Sequence, residues 1–165
     1  MDTKEIARLA KSKKICKDWH KRILESQDVE SLCAMYFEGD DWAMENNFPS
    51  TETLKEYKGQ TEEYGLHLDS NENFKNKKDL AFFGDSDVSI SYDGFSVSKV
   101  IVRHGSKAVI KASDNAIVFV NILDDAFVNI ETIGNAKVSV YRYSDNANYI
   151  ITGRVSVKES NFDKK

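Results

Sequence analysis

Apolar and polar residues alternate through much of the second half of this chain. The alternation is clearest in five short segments, which begin at Ala108, Ala116, Ala126, Ala136 and Ala147. Successive side chains of a β-strand point to opposite faces, so a period of two predicts strands with one buried face. The segments therefore predict a series of short strands in the second half of the chain.

The spacing of these segments predicts a repeat architecture. Turn-forming pairs precede the last four alanines: Asp114-Asn115, Asp124-Asp125, Gly134-Asn135 and Asp145-Asn146. Successive alanines are 8, 10, 10 and 11 residues apart, so two repeats would form one coil of a β-solenoid. An antiparallel meander with short turns would give the same alternation. We favour the solenoid, because a small residue at the start of every repeat suits a corner at which coils stack.

Aligning the repeats separates inward from outward positions. The first inward column holds the five alanines. The second holds Ile110, Val118, Val128, Val138 and Tyr149, and the third holds Ala112, Val120, Ile130, Val140 and Ile151. Some outward positions are also apolar or aromatic: Ile117, Phe119, Phe127, Tyr141 and Tyr143. If repeats alternate between the two sides of a coil, Ile117 and Phe119 share a face with Tyr141, and Phe127 lies on the other face. Either face, if left uncovered, would be a surface for contact with a protein.

The first 60 residues follow helical spacing instead. Apolar residues between Ile6 and Ile23 predict one long amphipathic helix, and Asp28 is a suitable N-cap for a second. Gly39 interrupts the second helix, and Ser50 or Thr51 would cap a last short one. From Tyr64 the period changes to two, which predicts strands at residues 65–69, 80–83, 88–92 and 97–102, with a loop at 70–79.

These elements predict an α+β chain in which an N-terminal helical cap precedes a short β-solenoid (β-helix) of about 10-residue half-coils. The expected boundaries are a helical cap at 1–60, a solenoid at 64–157 and a polar tail at 158–165. The N-terminus has no apolar segment of the secretory type, and no apolar run approaches the roughly 20 residues that span a bilayer. We therefore expect a cytoplasmic protein without a membrane partner.

Charge and cysteine content add little chemistry. The chain has a net charge of −4, with a basic first helix followed by an acidic region. The two regions either pair internally, which we favour, or form separate interaction faces. Cys16 and Cys33 have no partner pair at zinc-ligand spacing, so we expect two buried, unreactive thiols.

The repeat resembles a known one. The pattern Asp/Gly-Asn-Ala-x-Val-x-Val is similar to the tandem GNAxVxA and DNAxVxA repeats of short β-solenoids in uncharacterised proteins of bacteriophages and gut bacteria. The stretch from Tyr36 through Pro49 to Asp69 resembles the helical leader of those proteins. The resemblance implies a helical leader with a β-solenoid, and a bacteriophage setting with a host or virion protein as partner. It implies no activity and no catalytic residues.

A search for catalytic or cofactor motifs finds little. The eight glycines form no phosphate-binding loop, and the aspartates at turns are explained by turn geometry rather than by metal binding. His104, which follows Arg103, is the best single candidate for a reactive group. We expect no catalytic residues, no metal site and no cofactor.

The leading hypothesis is a non-enzymatic interaction or scaffold module, which binds a protein partner or associates with itself. The candidate contacts are Ile117, Phe119, Phe127, Tyr141, Tyr143, Arg103 and His104. An alternative is a small-ligand or nucleotide-sequestering protein, with Lys77, Lys78, Arg103 and His104 at the junction of helices and solenoid. Nucleic-acid binding by the basic first helix is a third hypothesis, which the pI of about 5.4 opposes.

Overall fold

The structure, a computed structural model, describes residues 2–163. The chain forms two compact units that meet in sequence between Tyr64 and Gly65. The first unit is helical and the second is built of strands. Met1, Lys164 and Lys165, which belong to the predicted cap and tail, lie outside the described residues.

The helical unit contains five α-helices and one short 3-10 turn among its described residues. They are α1 (Thr3–Ser12), α2 (Lys17–Glu25), α3 (Val29–Glu38), α4 (Asp40–Glu45), α5 (Thr51–Glu56) and a 3-10 turn at Glu62–Tyr64. Asp28 caps α3 by accepting a hydrogen bond from the Ser31 N–H at 2.8 Å, and Ser50 caps α5. Both predicted caps are confirmed.

The prediction of one long first helix is wrong, because the chain breaks between α1 and α2. Lys14 adopts a left-handed conformation at φ 62, and the Ile15 N–H reaches back to the Ala10 carbonyl at 3.2 Å. This is the hydrogen bond of a Schellman helix end. The sequence carries a signal for the break, since Lys13 and Lys14 occupy the positions where helical spacing from Ala10 requires an apolar side chain.

The core of the helical unit contains the buried side chains of Ile6, Ala7, Ala10, Ile23 and Met35. Trp19 packs at its margin and lies over Gly39, the residue between α3 and α4. A Cβ at Gly39 would come within 3.3 Å of the Trp19 ring. Gly39 therefore ends α3 and also leaves room for the indole.

The second unit contains eleven strands among its described residues. They are β1 (Leu66–Leu68), β2 (Asn73–Lys75), β3 (Asp79–Phe83), β4 (Asp87–Tyr92), β5 (Val97–Val102), β6 (Lys107–Ala112), β7 (Ile117–Ile122), β8 (Phe127–Thr132), β9 (Lys137–Arg142), β10 (Asn148–Thr152) and β11 (Val155–Glu159). β2 lies inside the predicted loop at 70–79. β11 extends to Glu159, two residues into the predicted polar tail.

The strands form two parallel sheets, and consecutive strands belong to different sheets. One sheet has six strands in the order β1-β3-β5-β7-β9-β11, and the other has five in the order β10-β8-β6-β4-β2. In the central coils each residue pairs with the residue 20 positions later, as Asp87 pairs with Lys107 and Lys107 with Phe127. The predicted β-solenoid of about 10-residue half-coils is therefore correct, and the antiparallel meander is wrong.

The register corrects one detail of the predicted columns. Ala108 lies inside β6 and stacks between Val88 and Val128, whereas the other four alanines precede their strands. The residue of that repeat which matches Ala116 and Ala126 is Ser106, which is also fully buried. The interval of 8 residues thus came from placing Ala108 in the first column. Ala108 belongs to the second column and Ile110 to the third, and Ala112 lies one position beyond the third.

The remaining interior columns are confirmed in the central coils. Val118, Val120, Val128 and Ile130 are completely buried, and they belong to one continuous core that runs between the two sheets. At the N-terminal end of this core the rings of His67, Phe74 and Phe82 pack against one another, with centroids 4.7 to 5.4 Å apart. This aromatic cluster fills the interior of the first coils.

Each of the six turns between β3 and β9 begins with a residue that has a positive φ. We call the turns that follow strands of the five-stranded sheet the first corner, and those that follow strands of the six-stranded sheet the second corner. The first corner places Gly94, Asp114 and Gly134 at this position, and the second places Gly84, His104 and Asp124 there. Glycine, aspartate and histidine tolerate this conformation better than other residues do. The turn geometry therefore explains why these residues recur.

Candidate interaction surface

The outward apolar residues are divided between the two sheets as the sequence predicts. Ile117 and Phe119 on β7 share the outer face of the six-stranded sheet with Tyr141 on β9. Phe127 lies on the five-stranded sheet, between Lys107 and Asn148 in the register. Ile117 and Phe119 are exposed, while Phe127 and Tyr141 are partly buried. Only part of the predicted contact set therefore forms one accessible surface.

Three exposed apolar residues extend the Ile117 and Phe119 pair and were missed in the sequence. Val97 is the register neighbour of Ile117, and Phe95 precedes Val97 by two residues in the turn of the first corner. Phe95 is 84% exposed, and Ile133, at the same corner two coils further on, is 62% exposed. We call Phe95, Val97, Ile117, Phe119 and Ile133 the corner surface.

The corner surface includes a shallow depression of about 490 Å³ at the first corner. Phe95 and Ile133 line it, together with the turn that lies between them, Ser113, Asp114 and Asn115. The Asp114 carboxylate is held by the Gly94 N–H, which donates to Oδ2 at 2.9 Å. The depression therefore has two apolar sides and a polar floor whose backbone is fixed by the turn stack.

Comparison of the turns from one coil to the next identifies Phe95 and Ile133. The turn position of Phe95 is occupied by Asn115 and Asn135 in the next coils, and the position of Ile133 is occupied by Asp93 and Ser113 in earlier coils. A phenylalanine or isoleucine at a turn position that otherwise holds a polar residue is not required by the turn. Aligning the turns as well as the strands would have shown both departures.

Arg103 and His104 lie at the second corner, where their contacts stabilise the turns. The Gly84 N–H donates to His104 Nδ1 at 3.0 Å, and the His104 N–H donates to Asp124 Oδ2 at 3.0 Å. Arg103 is buried, and its Nε donates to the same carboxylate oxygen at 3.2 Å. These hydrogen bonds join His104 to the turns of the coils before and after it.

The four basic residues of the ligand-binding alternative do not lie together. Lys77 and Lys78 precede β3, whereas Arg103 and His104 follow β5, and β3 and β5 are parallel neighbours. The two pairs therefore lie at opposite corners, and a rise of about 3.3 Å per residue separates Lys78 from Arg103 by roughly 16 Å. A single phosphate group would not reach both pairs.

Tyr143 directly follows β9 and contacts the segment that follows β11. Its ring stacks on that of Phe162, with centroids 4.7 Å apart and an interplanar angle of 17°. The ring is partly buried. Tyr143 therefore anchors the segment after β11, and Phe162 covers one face of its ring.

The two cysteines differ from each other, which corrects the prediction of two buried thiols. Cys16 is exposed at the break between α1 and α2, and Cys33 is buried in α3. Burial, with a smaller effect of the Glu62 carboxylate, raises the pKa of the Cys33 thiol to about 12. Cys33 is therefore the unreactive thiol of the two.

Exposed ion pairs join the basic and acidic regions of the helical unit. Arg22 pairs with Glu38 at 2.9 Å, and Lys21 pairs with Glu25 at 3.7 Å. All four side chains are about half exposed or more, so these pairs contribute little stability. Within the described residues, no three acidic, histidine or cysteine side chains are placed to hold a metal ion. None of the described helices has the length and apolar composition needed to cross a bilayer.

Comparison with protein-family models, with curated proteins and with solved structures finds no match for this chain. The resemblance of the repeats to those of bacteriophage and gut-bacterial solenoids therefore stays a prediction.

Proposed function

We propose that this protein is a non-enzymatic interaction module whose corner surface binds another protein. The observation that carries the proposal is the corner surface itself, where five large apolar side chains are exposed within adjacent coils. Apolar side chains at the centre of a contact and polar groups at its rim are typical of protein interfaces. Lys99 and Lys137 are the register neighbours of Phe119 and Ile117 and supply such a rim.

The contacts of Arg103 and His104 support a binding role rather than a catalytic one. His104 was the best reactive candidate in the sequence, and the hydrogen bonds of both residues join successive turns of the second corner. The side chains that the sequence offers for chemistry thus have structural partners. The side chains that lack an evident structural role are the apolar ones at the first corner.

The resemblance of the repeats to bacteriophage proteins extends the proposal to a host or virion protein as the partner. The corner surface has no dominant charge, since lysines lie beside it and Asp114 lies within it. We therefore expect a partner that contributes apolar side chains, and an affinity that changes little with salt concentration.

The test is photo-crosslinking from the corner surface. A benzoyl-phenylalanine at position 95 should crosslink one defined protein in a lysate of the cells that contain this protein. The same photoreactive residue at position 109, an exposed position on the outer face of the five-stranded sheet, is the matched control.

Substitution then tests whether the crosslinked protein depends on the corner surface. The double substitution Phe95→Ser and Ile133→Ser should abolish its retention by the tagged protein, and Val109→Ser should leave retention unchanged. Equal retention by the corner variant and the control would refute the proposal.

A further inference from the structure

The last coil of the solenoid ends in an edge strand that differs from the edge strands of the first coil. β10 is the outermost strand of the five-stranded sheet in the described part of the chain, and all five of its residues are exposed. Its sequence, Asn-Tyr-Ile-Ile-Thr, carries no charge. At the other end β1 and β2 have three residues each, and β2 ends in Lys75. Short strands and lysines protect a sheet edge from pairing, and β10 lacks both features.

The interior columns of the solenoid reach solvent at β10. Tyr149 continues the column of Val128, and Ile151 continues that of Ile130. Val128 and Ile130 are completely buried, whereas Tyr149 and Ile151 are 38% and 37% exposed. Burial of apolar surface stabilises a folded protein. A further strand beyond β10 would therefore cover Tyr149 and Ile151 and stabilise the solenoid.

The backbone of β10 is also available for pairing. The Asn148 N–H donates to the Ala126 carbonyl at 2.9 Å. This hydrogen bond shows which residues of β10 direct their backbone groups towards β8. In a parallel pair, alternate residues direct both backbone groups to the same neighbour. Asn148, Ile150 and Thr152 thus face β8, and the N–H and C=O groups of Tyr149 and Ile151 face the free edge.

We propose that β10 pairs in antiparallel orientation with β10 of a second copy of this chain, about a two-fold axis at Ile150. This register places Tyr149 opposite the second copy's Ile151, which is the arrangement in which two residues exchange both backbone hydrogen bonds. The residues whose backbone groups face the free edge are therefore the residues that the two-fold axis brings together.

The side chains of β10 are self-complementary in the same register. Tyr149 and Ile151 meet on the interior face, Ile150 meets its own copy on the outer face, and Asn148 meets Thr152. A two-fold interface requires a surface that complements itself in this way. On β11, the outermost strand of the other sheet, the same two-fold operation about Val157 places Ser156 opposite Lys158 and Val155 opposite Glu159. No like charges meet on either strand in this arrangement. This self-complementarity favours a second copy of the chain as the partner of β10.

The pairing uses one end of the solenoid, and it does not rest on the function proposed for the corner surface. The first test is light scattering during size-exclusion chromatography at a few hundred micromolar protein. The expected mass is about twice the 18.7 kDa of one chain. A mass of one chain would overturn the proposal, and so would an open series of larger species, since a two-fold contact closes at the dimer.

Three variants assign the contact. Ile150→Lys places two ammonium groups opposite each other at the two-fold axis and should give a monomer. Val109→Lys is the matched control, because Val109 lies in the same outward column as Ile150 on an inner strand, and it should remain a dimer. Phe95→Ser at the corner surface should also remain a dimer. Dissociation by either of the last two substitutions would place the contact elsewhere and overturn the proposal.

A disulfide tests the register and does not depend on how Ile150→Lys folds. Directly opposite residues that do not exchange hydrogen bonds in an antiparallel pair have Cα atoms about 4.5 Å apart, within the range that a disulfide spans. In a Cys16→Ser background, Ile150→Cys should oxidise to a covalent dimer that a thiol reductant separates. Val109→Cys in the same background should stay monomeric on a non-reducing gel. Equal crosslinking at both positions, or none at position 150, would overturn the proposed register.

Discussion

At the scale of single residues, the side chains at the turns connect one coil to the next. Asp114 and Asp124 hold the same turn position at the two corners, and each accepts a hydrogen bond from the backbone N–H of the preceding coil. Asp124 also faces the buried guanidinium of Arg103. The two aspartates therefore share a turn role and differ in one ion pair.

This difference gives a matched prediction. Asp114→Ala loses one hydrogen bond and adds strain at a positive φ, so we expect a loss of about 2 kcal/mol in the free energy of unfolding. Asp124→Ala also removes the carboxylate that faces Arg103 and should cost more, about 3 to 4 kcal/mol. Urea denaturation followed by circular dichroism measures both losses. Equal losses would show that the Arg103–Asp124 contact contributes nothing.

The two thiols should react at different rates. Cys16 is exposed, whereas burial raises the pKa of Cys33 to about 12, so almost no Cys33 thiolate is present at pH 8. We expect a thiol reagent to label one cysteine in the folded protein within minutes and both after denaturation. Mass spectrometry of the labelled peptides checks this, with Cys16→Ser as the control that removes the fast reaction. Fast labelling of Cys33 in the folded protein would contradict its burial.

At the scale of elements, the tight turn between β10 and β11 depends on Gly153. This residue has a φ of 91, and a Cβ there would lie 2.6 Å from the Thr132 carbonyl oxygen. Gly94 also has a positive φ, but a Cβ there would meet nothing within 4 Å. The two glycines thus separate the effect of steric overlap from that of backbone conformation.

We therefore expect Gly153→Ala to destabilise the chain more than Gly94→Ala does. The second substitution should cost about 1 to 2 kcal/mol, which is the penalty of a left-handed conformation with a Cβ. The first should cost that amount and also push the turn between β10 and β11 away from Thr132 at the end of β8. Thermal unfolding compares the two stabilities. A smaller effect at Gly153 than at Gly94 would contradict the described turn.

The elements also show what the sequence could predict. The alternation and the turn pairs were enough to predict the solenoid strands and the inward columns at Val118 and Val128. A strand with one buried face requires apolar residues at every second position, so the same pattern identifies the strand and its inward side chains. The column start at Ser106 was missed since a serine can fill the same corner as Ala116. The strand β2 was missed because it depends on pairing with β4 rather than on a local pattern. The helix break at Lys14 was missed although Lys13 and Lys14 interrupt the apolar spacing there.

The candidate surface was predicted only in part, for a physical reason. Ile117 and Phe119 break the alternation within a strand, and a strand pattern therefore identifies them. Phe95 and Ile133 lie at turns, where alternation makes no prediction, and their approach depends on the stacking of turns two coils apart. Arg103 could not be placed in advance, because its burial depends on Asp124, 21 residues later.

At the scale of the whole molecule, the coils should differ in their stability. The central strands β5 to β8 are covered by a neighbouring strand on both sides, whereas β10 and β11 are each covered on one side within the described chain. Backbone amides of β6 and β7 should therefore exchange most slowly with deuterium, and those of β10 and β11 fastest, at low protein concentration.

Raising the protein concentration should slow exchange in β10 selectively, at the edge-facing amides of Tyr149 and Ile151. The Ile150→Lys variant serves as the control, because its exchange should not depend on concentration. Uniform protection of all coils at low concentration would contradict the open end described for the solenoid.

The central claim is that residues 79–142 wind into parallel coils of 20 residues, and nuclear Overhauser contacts between backbone protons test it most directly. The account predicts contacts between β5 and β7 and between β6 and β8, with Val100 near Val120 and Ile110 near Ile130. Contacts between consecutive strands in antiparallel register, such as Ala112 with Ile117 across the turn at Asp114, would indicate a meander and contradict it.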